Sequence, residues 1–313
     1  MIAAVGGDAP VVVVTGAGGL VGARVCAALV ERGARVRAIV RRTGSAPDLP
    51  GVEELVGDVA DTAFVAPVLA GADAAVTTVY PMSSDDVEQQ RRVAVEGTTV
   101  FARAAAVAGV ERLVHVSTAA VYDRSPGVGD VDEDARLVGD DANDYAVTKR
   151  DTDAALAEVG GITRVLVRPP AVLGPGSTSM WNTLRPAEML ADEAARHAVA
   201  DQTFAWVHVD DLAALLADLA TGRIGAAGDP GKGPLAGGCT AVNVASGPAT
   251  VRDYVSAVTQ ALDVKPVWDA SPAWTGRIVA DRARAWGWSP TVDLRQALHE
   301  LATGLRRPRA TPT

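Results

Sequence analysis

A short apolar run, Val11 to Thr15, empties into Thr15-Gly16-Ala17-Gly18-Gly19-Leu20-Val21-Gly22; Leu20 to Arg32 then repeats at helical spacing before a second apolar run, Ala34 to Val40. Strand, glycine turn, helix and strand in that order leave few folds open. The same alternation continues through Gly51 to Val56, the helix-like Thr62 to Ala70, the strand-like Ala74 to Val79, a long helix-like stretch from Asp85 to Val107, and Arg112 to Ser117. Asn143 to Glu158 and Thr163 to Arg168 extend it once more. Uniformly apolar strands separated by helices predict an α/β fold of Rossmann type, a doubly wound parallel sheet covered on both faces. Beyond Arg168 the regularity fades and prolines and tryptophans become frequent. The expectation is a Rossmann domain over residues 1–170 and a smaller C-terminal lobe over 171–313, with chain around 205–245 able to return to the sheet. Gly222 to Gly238, rich in Gly, Ala, Pro and Asp, reads as a solvated loop.

Gly16, Gly19 and Gly22 keep a G-x-x-G-x-x-G spacing where the first strand turns into the first helix. Glycine lets the backbone turn tightly and approach a pyrophosphate, while the helix N-terminus presents unpaired N–H groups and a partial positive charge. That geometry fits a dinucleotide, with Thr15, Gly16, Gly19, Leu20, Val21 and Gly22 around its phosphates. An ordinary glycine-rich turn is the plainer alternative, and the strand in front of it argues against that. In NAD binders the second strand ends beside an acidic side chain that holds the adenosine ribose; here it ends in Arg41-Arg42. A carboxylate would repel a 2'-phosphate and guanidinium groups pair with it, so NADP(H) is favoured over NAD(H). A solvated strand end is the competing reading. Arg24, in the first helical turn, is a candidate helper. Asp58, with Val59 beside it, is placed after the third strand to accept from the adenine amino group, or else to cap a helix. Thr78, at the end of the fourth strand, completes the cofactor positions on this half of the chain.

Tyr145-Ala146-Val147-Thr148-Lys149 sets a phenol and a lysine four residues apart, on one helix face. Arginine is abundant in this chain and lysine occurs only at Lys149, Lys232 and Lys265, so each lysine is informative. An ammonium and an oxidised nicotinamide nearby would bring the phenol toward neutrality, which suits acid-base work. Upstream, Val114-His115-Val116-Ser117-Thr118-Ala119-Ala120-Val121-Tyr122 is a strand opening into a hydroxyl-bearing loop. Carboxyl ends of strands face the ligand in such sheets, so Thr118 is the hydroxyl expected on the substrate oxygen, and Ser117 the better candidate for mere capping.

With these segments, and with Arg168-Pro169-Pro170-Ala171-Val172-Leu173-Gly174-Pro175-Gly176 and Val207-His208-Val209-Asp210-Asp211, the chain resembles the extended short-chain dehydrogenase/reductase family over most of its length. The resemblance implies Tyr145 as proton donor or acceptor, Lys149 on the nicotinamide ribose, Thr118 on the reacting oxygen, and the backbone from Pro169 to Val172 beside the nicotinamide. It implies that His208, Asp210 and Asp211 are framework hydrogen bonders, with no metal, and that the chain is a homodimer joined through the Asp85 to Val107 and Tyr145 helices. Departures narrow the chemistry. Family dehydratases carry an Asp-Glu pair after the threonine, where this chain has Ala119 and Ala120. Nucleotide-sugar members hold the diphosphate with an arginine where an ungapped alignment gives Phe204, and Ala94-Val95-Glu96-Gly97-Thr98 lacks the usual Asn.

Composition closes other routes. Acidic residues outnumber basic ones, 38 to 29, for a net charge of -9, which gives no footprint for nucleic acid or an anionic membrane. Cys26 and Cys239 are too few for a disulfide framework or a thiolate zinc site. Nor does the start carry a basic leader, and the apolar run after it is broken by glycines, so a cytoplasmic protein is expected. Tyr80, Met82, Met180, Trp181, Trp206 and Trp274 are candidate pocket residues, with Asn182 and Ser83 as polar anchors. The leading expectation is an NADPH-dependent carbonyl reductase, or in reverse an alcohol dehydrogenase, on a small and fairly hydrophobic ketone. An epimerase using the same three catalytic residues and a non-catalytic nucleotide sensor are the alternatives.

Overall fold

A computed structural model describes residues 9–80 and 87–306. In chain order its elements are β1 (Val11–Thr15), α1 (Leu20–Glu31), β2 (Arg35–Val40), β3 (Val52–Val56), α2 (Thr62–Leu69), β4 (Ala74–Thr77), α3 (Val87–Arg91), α4 (Thr98–Val107), β5 (Arg112–Val116), α5 (Asp144–Ala157) and β6 (Thr163–Arg168). There follow β7 (Ala171–Leu173), α6 (Arg185–Ala191), β8 (His197–Ala198), β9 (Trp206–His208), α7 (Val209–Ala220), β10 (Cys239–Asn243), α8 (Val251–Leu262), β11 (Val267–Trp268), α9 (Asp281–Ala285) and α10 (Leu294–Arg306). Seven strands form one sheet in the order β10-β6-β5-β4-β1-β2-β3. The β1–β2, β1–β4, β2–β3 and β4–β5 pairings are parallel. The strand order reverses between β1 and β4, the switch point at which doubly wound sheets take their ligands.

By internal contacts the chain divides into two units, neither of them contiguous. The first gathers Met1–Val116, Asp151–Leu166 and Ala213–Thr240; the second gathers Ser117–Arg150, Val167–Leu212 and Ala241–Thr313. In the first, Val12, Val13, Val14, Val76, Leu113 and Val114 are fully buried, because central strands covered on both faces leave no position for polar alternation. β3, at the sheet edge, keeps its two glutamates. Arg32 ties α1 to α7: its Nε donates to Asp218 (2.7 Å) and its Nη1 and Nη2 to the carbonyls of Ala28 (2.9 Å) and Ala214 (3.1 Å). The expected single helix over 85–107 is corrected. Residues 85 and 86 lie outside the described residues, and Arg92–Gly97 winds as a wider π-type turn between α3 and α4, with the Val95 carbonyl taking the Thr99 hydroxyl (2.6 Å). Gly222 to Gly238 folds back on itself through Ala227 N–H to Pro234 (2.7 Å) and Ala236 N–H to Ala227 (3.1 Å).

The second unit holds two small parallel sheets, β7–β9 and β8–β11. Leu173, Met189, Phe204, Trp206, Tyr254, Val258 and Leu301 form its core. A reciprocal capping box starts α8: Thr250 Oγ1 accepts from the Asp253 N–H (3.3 Å), and the Asp253 carboxylate accepts from the Thr250 N–H (2.7 Å). Asp211 organises the chain before α10, accepting from Thr291 N–H (2.9 Å), Thr291 Oγ1 (2.6 Å) and Val292 N–H (3.2 Å), while its carbonyl takes the Trp288 indole (2.9 Å). Among the described residues no helix is long and apolar enough to cross a membrane.

Candidate active site

The sequence-predicted residues fall into two groups, one in each unit. In the first unit β1 ends at Thr15 and the chain turns through Gly16, whose φ is +72°, to Gly19 at the head of α1. The Gly19 N–H donates to the Gly16 carbonyl (3.0 Å), closing the turn. Leu20 and Val21 are the first two helical residues, so their amides belong to the set with no partner inside the helix. Gly22 is fixed by contact: a Cβ there would run into the Gly16 carbonyl. The backbone turn that a pyrophosphate requires is therefore present, and a side chain at residue 22 would push Gly16 and Ala17 out of it. Thr78 braces the turn from β4, its hydroxyl donating to the Thr15 carbonyl (2.8 Å). Arg41 and Arg42 are exposed at the end of β2. Asp58 accepts from the Ala60 N–H (2.9 Å), next to Val59, but the cap of α2 is Asp61, which takes Ala63 N–H (2.9 Å) and Phe64 N–H (3.4 Å). The helix-cap alternative for Asp58 is thus corrected. Tyr80, just beyond β4, donates to Gln90 (3.3 Å), whereas Met82 and Ser83 lie outside the described residues. Cys26 is buried, which pushes its thiol up to about 12 and leaves it an inert packing residue.

In the second unit Asn143 opens α5, its side-chain oxygen accepting from the Ala146 N–H (3.0 Å), and so puts Tyr145 in the first helical turn with Lys149 one turn on. Lys149 is 4% exposed, an uncommon burial for a long charged side chain that Arg164 and Arg168, each 6% exposed, come close to. Tyr145 hydrogen-bonds Thr118. Solvent reaches 37% of Tyr145 as a residue, yet burial around the phenol oxygen pushes it above its ordinary value, and the Thr118 bond offsets only part of that. The net direction among the protein's own groups is upward, because desolvation of the phenolate outweighs the stabilising bond. Thr118 also accepts from the Ala120 N–H (3.1 Å), so the capping hydroxyl is Thr118 and not Ser117. Ser117 Oγ is buried with no hydrogen-bond partner among the described residues. One hydroxyl serves both the loop and the phenol.

The Ala119 N–H donates to the Pro169 carbonyl (2.8 Å), which sets the Thr118 loop beside the Pro169 to Val172 segment. Val172 pairs with Val207 in the β7–β9 ladder. Beneath the same loop, Tyr122 donates to Asn243 (2.7 Å) and accepts from Arg168 (2.9 Å); burial pushes this second phenol up to about 12 and keeps it a hydrogen-bonded support.

Several expected pocket residues prove to be structural. Trp206 is 1% exposed and Trp274 is 3% exposed, the latter with its indole on the Gly129 carbonyl (2.9 Å). The Asn182 side-chain oxygen accepts from the Gly174 N–H (2.9 Å) and holds the Gly174-Pro175 turn. Trp181 meets Phe204 and Tyr254 edge to face, with ring centroids 5.3 and 5.4 Å apart, while Phe204 and Tyr254 stack at 4.6 Å. Tyr254 donates its hydroxyl to the Trp181 carbonyl (2.7 Å). Sequence reasoning missed Tyr254, which carries no local motif, and Glu54, an acidic residue in an edge strand that reads as ordinary surface. The Glu54 carboxylate accepts from the Gly44 N–H (2.8 Å) and the Ala46 N–H (2.9 Å) in the turn after Arg42.

The model of the NAD dependent epimerase/dehydratase family matches residues 12–225. Sterol demethylase protein B of Methylococcus capsulatus is 33% identical over 168 residues, 52% of this chain and 51% of that protein. The 2-alkyl-3-oxoalkanoate reductase of Stenotrophomonas maltophilia is 30% identical over 174 residues, covering 54% and 53%. The chain thus spans about half the length of these curated relatives. The crystal structure of the Bordetella bronchiseptica enzyme WbmH in complex with NAD+ superposes with a TM-score of 0.76 at 22% identity, covering 96% of this chain and 99% of that one, which establishes a shared fold.

Proposed function

The chain belongs to the NAD dependent epimerase/dehydratase family, and from that premise we propose that it is an NADP(H)-dependent oxidoreductase. Its reaction is reduction of a ketone, or oxidation of the matching secondary alcohol, on a small and fairly hydrophobic metabolite. The observation that carries this reading is Tyr145, hydrogen-bonded to Thr118 and held protonated by burial. A protonated phenol is a donor, and carbonyl reduction needs a proton at the oxygen as the alkoxide develops. A bound nicotinamide dinucleotide supplies the hydride. Thr118 orients the substrate oxygen, and Tyr145 gives its proton to that oxygen. Lys149 holds the ribose hydroxyls and favours the phenolate left behind. The glycine turn at Gly16 to Gly22 holds the pyrophosphate, and Arg41 with Arg42 pairs with a 2'-phosphate.

Two observations weigh against sugar-nucleotide chemistry. Phe204, aligned with the diphosphate-binding arginine, is 5% exposed inside an aromatic cluster, and Ala119 and Ala120 offer no acid-base pair. That a 2-alkyl-3-oxoalkanoate reductase is among the relatives supports the ketone reading. We further propose a cytoplasmic homodimer formed through α3–α4 and α5. The test is to measure binding of NADPH and NADH to the purified protein, then to follow NADPH consumption with a panel of hydrophobic ketones. Stoichiometric loss of NADPH absorbance supports the reductase. Tightly held, non-exchanging NAD with no net absorbance change on turnover overturns it in favour of an epimerase.

A further inference from the structure

We infer that Glu54 is the positioning residue that sets the turn after β2 for recognition of the cofactor's 2'-phosphate; the inference rests on the NADP(H) reading above. β2 ends at Val40, and the chain passes through Arg41, Arg42 and Thr43 into a tight turn at Gly44, whose φ is +74°. Arg41 to Ser45 are all exposed, so packing does not dictate the course of this turn. Two contacts fix it instead. On one side, the Glu54 carboxylate spans the turn, Oε1 accepting from Gly44 N–H (2.8 Å) and Oε2 from Ala46 N–H (2.9 Å), with the Ser45 amide adding to the set. On the other, Ser45 lies against the glycine turn so closely that a Cβ on Gly18 would sit 2.8 Å from the Ser45 carbonyl oxygen.

Register explains why Glu54 can do this and Glu53 cannot. Glu54 pairs with Ala38 in the parallel β2–β3 ladder, and adjacent residues of a strand point to opposite faces. Ala46, then Gly44, hold the Glu54 carboxyl below the usual carboxylate range, so it stays ionised and keeps accepting at neutral pH. Three consecutive amides converging on one anion make a nest. Here the protein's own carboxylate fills it, and the phosphate is left to the arginines. The structural consequence is that Arg41 and Arg42 leave β2 on a short arm anchored at both ends, between β3 and the glycine turn. An anchored arm loses less conformational freedom when its guanidinium groups close on a phosphate, which is how preorganisation raises affinity for one ligand over another.

The experiment is the ratio of NADH to NADPH dissociation constants, measured by titration of the full chain, for wild type, Glu54→Ala, Glu54→Gln and the Arg41→Ala/Arg42→Ala pair. A slack arm is expected to cost NADPH roughly tenfold and NADH less than about twofold, since charge-assisted bonds to the 2'-phosphate distinguish only the former. Glu54→Gln keeps one accepting oxygen, so its ratio should fall between those of wild type and Glu54→Ala. Glu54→Ala added to the arginine pair should leave the ratio where the pair put it, because there is then no phosphate contact to position. Equal loss of both affinities on Glu54→Ala marks a merely structural role and overturns the inference. Tighter NADPH binding overturns it too, since the carboxylate would then be competing with the phosphate for the nest. If Glu54→Ala does not fold, a wild-type ratio in Glu54→Gln does the same. A wild-type ratio near one overturns the cofactor reading and this inference together, whereas a wild-type preference that survives Glu54→Ala overturns the inference alone.

Discussion

The glycine turn of the first unit and the aromatic core of the second use opposite materials. Around residues 15–22 the work is done by backbone, and the fit is tight enough that a Cβ on Gly22 would meet a carbonyl. Around Trp181, Phe204 and Tyr254 it is done by large rings meeting edge to face or stacked, with one hydroxyl fixing the Trp181 carbonyl. A backbone cradle is indifferent to what the dinucleotide will react with. A core of packed rings answers instead to volume and shape. Tyr145, the proposed proton donor, is neither part of the glycine turn nor a member of the aromatic core.

Tyr145→Phe is the sharpest probe of that division. Turnover should fall by about 10²–10⁴-fold, the usual contribution of a general acid, while NADPH affinity stays within a few-fold of wild type; parallel loss of both would mean that the phenol is part of the nucleotide site. The same residue fixes the sign of the pH profile. Burial raises the phenol, so the donor is present through neutral pH and is lost as pH rises through the raised value. Ketone reduction at saturating NADPH should hold steady near neutrality and decline only in alkali. A decline on the acid side of pH 7 would contradict the assignment.

Next in size is Trp206→Ala, which empties a fully buried site in the second unit and should cost about 3–5 kcal/mol in a denaturant titration. Trp206→Phe separates volume from polarity. The indole Nε1 has no hydrogen-bond partner among the described residues, so removing it should cost far less than the alanine variant. Gly22→Ala comes third: overpacking against the Gly16 carbonyl should cost about 1–3 kcal/mol and weaken NADPH and NADH alike. A Gly22→Ala protein with wild-type nucleotide affinity would break the comparison, because the cradle would then have room to spare. Tyr254→Phe is the smallest. It removes the bond to the Trp181 carbonyl and should cost about 0.5–1.5 kcal/mol, seen as a lower Tm with nucleotide affinity unchanged.

The same contrast decides what could be seen in the sequence. Val11 to Thr15 and its glycine turn were legible because a buried central strand needs an unbroken apolar run and a phosphate cradle needs glycine at fixed spacing. The Tyr145 to Lys149 spacing was legible for the periodicity of a helix. The tryptophans were not, since a large ring has the same composition signature whether it lines a pocket or fills a core, and Trp206 and Trp274 fill cores. Nor was the division of labour between Ser117 and Thr118, which depends on which hydroxyl the loop turns toward Ala120. Asp58 and Asp61 show the same limit three residues apart, because only the backbone path tells which carboxylate reaches the first amides of α2. Glu54 was invisible for another reason. Its partners are backbone amides of a turn eight to ten residues earlier, and amides leave no trace in a string of side chains.

Interleaving of the two contact units has a consequence for how the molecule comes into being. The outermost strand beside β6 is β10, so the sheet edge opposite β3 is not complete until residue 243 has left the ribosome. A nascent chain holding everything up to α5 would expose an unpaired strand edge, a standing invitation to aggregate, for many seconds of synthesis. Truncation after the nucleotide-binding strands is therefore a poor route to a smaller, well-behaved fragment.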